Sequence, residues 1–312
     1  MKNKEKKFSR KPIFVLLLPV IEMFVLEYIT GHFFSLNNML NILYRFSMLG
    51  LVVIGMSFVI LTGGIDFSVG GQIAFSGMLM AILIIRFQFS YAAAFVIATL
   101  TGMLIGYLNG SISIDFKIEP SVETFGMMII LNGLVYTISG GHSIIGEGEI
   151  FQFWTGESNK IFGAAFLALF IAYSVSKLLL KKTYPGRFLH VVGENFETAE
   201  FIGINSRRVK ILAYILCSFM MTITATFTIG YSHVATPFSG SEYMSDSLIA
   251  CCAGGFSLRG GSGRIEGALM AALILVIFDN GMRILGLNQG STGFVKAVIL
   301  LGVLVFNFRR KD

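Results

Sequence analysis

The stretch Leu61–Ile85, LTGGIDFSVGGQIAFSGMLMAILII, constrains the fold more than any other: a helix-length, largely apolar run that opens with four glycines and one carboxylate. Gly63, Gly64, Gly70 and Gly71 allow tight turning or close backbone approach, and Asp66 or Ser68 is placed to cap the free N–H groups of the helix that follows. The stretch reads as one span ending, a tight re-entry, and a second span starting. A similar pattern recurs at Ala253–Ile274, AGGFSLRGGSGRIEGALMAALI, with glycine pairs around Phe-Ser before another apolar run. Such breaks are expected either of two related halves facing one pathway, as in transporters with discontinuous helices, or of ordinary glycine-rich turns.

The rest of the chain fits a membrane. Of its 312 residues, 54% are hydrophobic and 13% charged, whereas soluble domains carry roughly a quarter charged residues. The expected fold class is therefore an all-α polytopic membrane protein. Since about 20 apolar residues cross a bilayer as helix, the chain holds about ten transmembrane helices and no sizeable soluble domain. No cleavable signal peptide is evident after the basic tail Met1–Lys11, because the apolar run beyond it carries Glu22 and Glu27. The net charge of +6 resembles a nucleic-acid signal until its residues are placed: sixteen of the twenty-four Lys and Arg lie in Lys2–Lys11, Lys177–Lys210 and Arg309–Lys311. That bias at span ends marks cytoplasmic segments, so both termini are expected in the cytoplasm and no nucleic acid as partner. Cys217, Cys251 and Cys252 sit in apolar runs without metal-ligand spacing.

In order, spans are expected from about Pro12 to Gly31 and from Phe46 to Leu61, with an outer loop His32–Arg45 between them. Further spans follow at Phe67–Ile85, Phe87–Ile114 and Thr124–Gly140. Gly102, Gly106 and Gly110, spaced by four, give the fourth span a face for close helix packing or, as the alternative, for lining a pathway. Pro120 suits the first turn of the fifth. The polar residues Asn132, Tyr136 and Thr137 on that helix are candidates for a hydrophilic path or for interhelical hydrogen bonds. Residues 141–160 form the longest outer loop, where Trp154 fits an interfacial anchor. Residues 181–210 form the one substantial inner loop. Within it Asn195 reads as an N-cap and Gly203 as the terminator of a short helix, with Phe196, Ala199 and Ile202 along one side. That apolar side asks for a cytoplasmic protein partner, or is buried against inner loops or membrane. Ile211–Gly230 is the next span; Ser247–Leu258 is too short to cross alone and either starts earlier, at Tyr243 and Met244, or dips in under protein cover. Ile265–Met282 and Gly293–Phe308 complete the count, with Asp279, Arg283 and Lys296 near their outer ends as an ion pair or coupling site.

These pieces together resemble the permease subunits of ribose-, xylose- and galactose-type ABC importers. The resemblance runs over most of the chain and rests on LTGGIDFSVGG at Leu61–Gly71, GENFETAEFIGI at Gly193–Ile204 and AGGFSLRGGSGRIEG at Ala253–Gly267. It implies a type II-like, ten-span single permease domain in the bacterial inner membrane, translocating a pentose, hexose or related small carbohydrate. It assigns Gly193, Asn195, Phe196, Thr198, Ala199, Ile202 and Gly203 to the loop that couples to a separate ABC ATPase subunit, which would handle ATP and Mg²⁺; no cofactor is expected on this chain. A second permease chain and an extracytoplasmic sugar-binding protein, periplasmic or lipid-tethered, are the other implied partners, beside the lipid bilayer. Ser121 and Glu123 stand where the family generally has apolar residues, Arg259 replaces a small residue, and Asp279 replaces an asparagine.

No GxxxxGK[ST] occurs, so the chain cannot hydrolyse ATP alone. An ion-coupled secondary transporter is the alternative, but Glu22, Glu27 and Asp279 are scattered or near span ends. An intramembrane enzyme is disfavoured: there is no HExxH or GxSxG, and His32, His142, His190 and His233 lie far apart in sequence.

Overall fold

The computed structural model describes residues 12–146 and 157–309, so the basic tail, Trp154 and the last three residues lie outside it. Among the described residues twelve helices follow in order: α1 (Pro12–Thr30), α2 (Leu36–Leu61), α3 (Val69–Ile85), α4 (Tyr91–Asp115), α5 (Pro120–Ser139), α6 (Glu157–Lys182), α7 (Tyr184–Glu194), α8 (Phe196–Phe201), α9 (Ser206–Ser232), α10 (Ser241–Ala253), α11 (Ile265–Ile284) and α12 (Gln289–Arg309). Two short strands, β1 (Ile144–Ile145) and β2 (Val234–Ala235), pair antiparallel.

Six of these helices, α2, α4, α5, α6, α9 and α11, are long and apolar enough to cross a bilayer; α3 and residues 290–302 of α12 are shorter apolar segments. Their burial separates centre from periphery. In α2, 83% of the most apolar stretch is covered by protein, and in α9 67%, against 22–28% for α4, α5 and α6. The last three therefore turn most of their apolar surface outward, as lipid-facing helices do. The two central helices pack on each other, α9 also against α3 and α4, and α2 also against α6, α10 and α11.

Small residues set the closest approaches. A Cβ on Gly106 of α4 would come to 2.6 Å from the Tyr214 carbonyl oxygen on α9, and one on Gly110 to 2.8 Å from the Ile211 Cα. The glycine face of the fourth span is thus a packing face against α9. Hydroxyls reinforce the seam: Ser76 and Thr222 lie 3.4 Å apart, and Tyr44 donates to the Phe227 carbonyl at 2.7 Å.

Several boundaries differ from the sequence expectation. The second span starts at Leu36, so the loop before it is short, because Arg45 sits within the helix and faces Asp279 at 3.9 Å instead of ending it. The sixth helix starts at Glu157, inside the expected outer loop 141–160. The segment 181–210 is mostly helical: Thr183 accepts from the Gly186 amide at 3.2 Å and Pro185 occupies the first turn, which starts α7. The short run at 247–258 falls mostly on a helix that starts earlier and is covered by protein. Helix α10 starts at Ser241, runs only 13 residues or ~20 Å, and is buried from Asp246 to Cys252 against its neighbours.

Candidate coupling and translocation site

The first glycine break is a buried polar knot. After α2, Gly63 turns the chain in the left-handed region (φ +76°), a conformation few other residues adopt. Asp66 is fully buried and its Oδ1 accepts from both the Ser68 amide, at 2.8 Å, and the Ser68 hydroxyl, at 2.5 Å. The cap is thus an Asx turn by Asp66, and the Ser68 hydroxyl is spent elsewhere. It accepts from Gln72 Nε2 at 2.7 Å and from Asn109 Nδ2 at 2.9 Å, which ties α3 to α4. The start of α5 closes the knot: the Thr124 hydroxyl accepts from the Phe67 amide at 3.0 Å and stands 3.1 Å from the Ile65 carbonyl. Glu123 and Tyr214 are buried beside it. Gly70 fits against the Gly240 carbonyl, 2.8 Å from where a Cβ would lie, and Gly64 against the Tyr214 hydroxyl, at 2.6 Å.

Sequence reading found Asp66 and Ser68, singled out Glu123 without placing it here, and missed Gln72 and Asn109. Gln72 lies four residues after Ser68, a spacing that helix periodicity supplies. Asn109 shares the face of Gly102 and Gly106, but nothing local says which helix that face meets.

The inner-loop helix forms where expected. Asn195 accepts from the Thr198 amide at 2.7 Å, which caps α8, and Gly203 (φ +85°) ends the turn that follows. Its apolar side divides, however. Ala199 is fully buried and Phe196 packs partly on the core, while Phe201 is 89% and Ile202 65% exposed. Phe196, Ala199 and Ile202 therefore do not share one outward face. A six-residue helix presents its inner face to the chain that carries it, and of its apolar side only the last turn projects.

The loop also reaches the glycine breaks. Gly193 lies so close to the Leu61 carbonyl that a Cβ there would overlap it, and the Gly261 amide donates to that carbonyl at 3.0 Å. Three segments that sequence reading kept apart, 61–71, 193–204 and 253–267, thus meet at one place.

On α5, Asn132, Tyr136 and Thr137 are exposed together. Asn132 Oδ1 lies 3.5 Å from where a Cβ on Gly71 would be, Thr137 donates to the Gly133 carbonyl of its own helix at 2.8 Å, and Tyr136 meets Phe238 edge-on at 6.2 Å. This places a polar strip beside the first glycine break. Asp279, Arg283 and Lys296 form ion pairs with one another and with residues of α10, with Lys296 Nζ 2.8 Å from Asp246 and 2.9 Å from Asp279. Among the described residues there is no cluster of histidine, cysteine and carboxylates that could hold a metal ion.

The family model described as branched-chain amino acid transport system / permease component matches residues 38–304. The ribose import permease protein RbsC of Escherichia coli (strain K12) is 32% identical over 296 residues, covering 91% of this chain and 89% of its own length. RbsC of Bacillus subtilis (strain 168) is 30% identical over 100% of this chain and 98% of its own. The fructose import permease protein FrcC of Rhizobium meliloti is 30% identical over 96% and 85%. No solved structure matches. The match covers the central helices, both glycine breaks and the capped inner-loop helix, and the chain belongs to this family of transport-system permease components.

Proposed function

We propose that this chain is the membrane-spanning permease of an ABC importer for a sugar, a pentose, hexose or related small carbohydrate, powered by a separate ATPase subunit. As a family member it is a transporter subunit and not an enzyme, and a multi-pass protein of the inner membrane. The sugar follows from the named substrates of the relatives, ribose and fructose. In this reading α1, α3, α10 and α12 cross as well as the six long helices, ten crossings in all, and the basic end segments favour both termini in the cytoplasm. Two permease chains would enclose the pathway, with the Asn132, Tyr136 and Thr137 strip of α5 facing it. A neutral sugar needs hydrogen-bonding groups without strong charge, which that strip supplies. An extracytoplasmic sugar-binding protein would deliver the substrate at the other face.

The observation that carries the reading is the projecting turn of α8. Phe201 and Ile202 are exposed on a capped, buried-base helix flanked by Lys181, Lys182, Arg207 and Arg208. Two large apolar side chains this exposed, close in sequence to the exposed Glu200 and Arg208, fit a groove on a protein. The experiment is co-purification. Phe201→Asp should release the ATPase subunit while leaving the permease folded, whereas Ala199→Glu, which places a charge in a buried site, should damage the loop itself. Retention of the ATPase by Phe201→Asp overturns the docking assignment. The ion-coupled alternative is tested by sugar uptake: uptake should vanish with an inactive ATPase partner and persist when the proton gradient is dissipated.

A further inference from the structure

The meeting of the three segments has a specific mechanical form. Gly261 donates its amide to the Leu61 carbonyl at the end of α2 (3.0 Å), and a Cβ on Gly260 would lie 2.7 Å from both the Gly193 carbonyl oxygen and the Gly63 nitrogen. The 257–262 loop is closed on itself by the Ser257 amide on the Ser262 carbonyl and the Gly260 amide on the Ser257 carbonyl, both at 2.9 Å, so it moves as a unit. From α7, the half-buried His190 places Nδ1 3.0 Å from the Gly261 carbonyl oxygen. A carbonyl only accepts, so Nδ1 carries the hydrogen in this bond. Only the extended Asn195 separates α7 from α8: its amide bonds back to the Val191 carbonyl at 3.2 Å and its side chain accepts from the Thr198 amide at 2.7 Å, so one residue is bonded to both helices.

We propose that His190 is a positioning residue for coupling: its bond to Gly261 fastens the α7–α8 unit to the 257–262 loop, and through Gly261 to the end of α2, so that displacement of the cytosolic helices carries both glycine breaks with it. The inference rests on the reading of α8 as the ATPase contact. Packing alone does not supply the link, because glycine backbones in contact resist approach but not separation or sliding. Conformational coupling runs through contiguous contacts with a defined geometry, and a hydrogen bond from a ring held on α7 adds direction to contacts that otherwise have none.

The test uses the assembled complex of permease and ATPase subunit. Spin labels on cysteines replacing Leu108 and Arg187 report the motion of α7 when ATP is added with vanadate, and labels replacing Leu108 and Ser262 report the motion of the loop; the native cysteines are buried. In the parent protein both distances should shift. In His190→Phe, which keeps ring volume without the donor, the first shift should persist and the second fall to less than half. His190→Asn, whose amide nitrogen occupies the place of Nδ1, should restore it, which a general loosening of the loop would not allow. If His190→Phe fails to assemble, His190→Leu, which likewise carries no donor, makes the same comparison. A loop shift in the donor-free variant equal to that of the parent overturns the proposal. Absence of any α7 shift in the parent, with the ATPase bound, instead overturns the coupling reading on which it rests.

Discussion

Helix α11 is held at its two ends by opposite devices. At Ile265 it emerges from a loop in which backbone meets backbone: Gly254 against Gly267 and Ala268, Gly260 against Gly193 and Gly63. About 20 Å away, Asp279 and Arg283 join a network of side chains in which Lys296 bridges Asp246 and Asp279, and Arg283 bonds Asp279 at 2.9 Å and Glu242 at 3.2 Å. The glycine end buries no charge, the ion pair of Glu266 with Lys177 and Lys181 there being exposed, so no ion has to be desolvated, and its close packing depends on the absence of side chains. The ionic end depends on their identity. One end is sensitive to volume, the other to charge, and the two sensitivities are separable by mutation.

The largest effect is expected at the ionic end. Lys296→Met leaves Asp246 and Asp279 facing each other without their shared cation, a loss of about 3–5 kcal/mol for a buried pair broken on one side. The melting temperature in detergent should fall accordingly. The triple variant with Asp246→Asn and Asp279→Asn should recover most of it, because neither buried carboxylate is then left unpaired, while Arg283, two-fifths exposed, keeps Glu242. Failure of the triple variant to recover would mean that Lys296 acts through packing and that the two ends do not differ in kind.

Next comes Gly193→Ala. A methyl there overlaps the Leu61 carbonyl and the Gly261 amide, both backbone and neither able to swing aside. Overpacking of this sort costs about 1–3 kcal/mol or displaces α7. ATPase co-purification and melting temperature should both drop. The same exchange at Gly133 on α5, where a Cβ meets nothing within 4 Å, should leave both unchanged. Equal effects at the two positions would remove the volume argument.

The contrast also shows how much could be read from order of residues alone. Asn195 and Gly203 fall where local rules put them, because caps and terminators are decided within a few residues. The grouping of Asp279, Arg283 and Lys296 was expected from their shared depth, and the glycine face of α4 from its spacing. Glu242 and Asp246 were not placed with them, since α10 is short and its direction follows from packing. The inward turn of Ala199, the bond from His190 to Gly261 and the overlap of Gly193 with Leu61 join positions more than 60 residues apart or depend on which side of a six-residue helix meets its own chain. No period in the sequence encodes those.

A smaller effect is expected at Asp66, a third arrangement in which a buried carboxylate is held by neutral donors. Asp66→Asn keeps the shape but turns an amide hydrogen toward Gln72 or the Ser68 donors. A buried donor set against another donor costs about 1–3 kcal/mol. The melting temperature should fall by less than in Lys296→Met, since no unpaired charge remains.

The smallest effect sharpens the comparison most. Where α4 ends and α9 begins, Arg207 grips Asp115 through two bonds of 2.7 and 2.6 Å, and both side chains are about two-fifths exposed (43% and 41%). By geometry this is the best-formed ion pair in the described residues; by exposure it is among the least consequential, because water screens the charges and solvates either partner when the other is lost. It lies at the end of the bundle that carries the glycine junction. If that end is fastened by backbone contact, Asp115→Asn should change neither melting temperature nor ATPase co-purification. A fall comparable to that of Lys296→Met would show that charge holds both ends, and the division between a volume-sensitive and a charge-sensitive end would no longer describe the molecule.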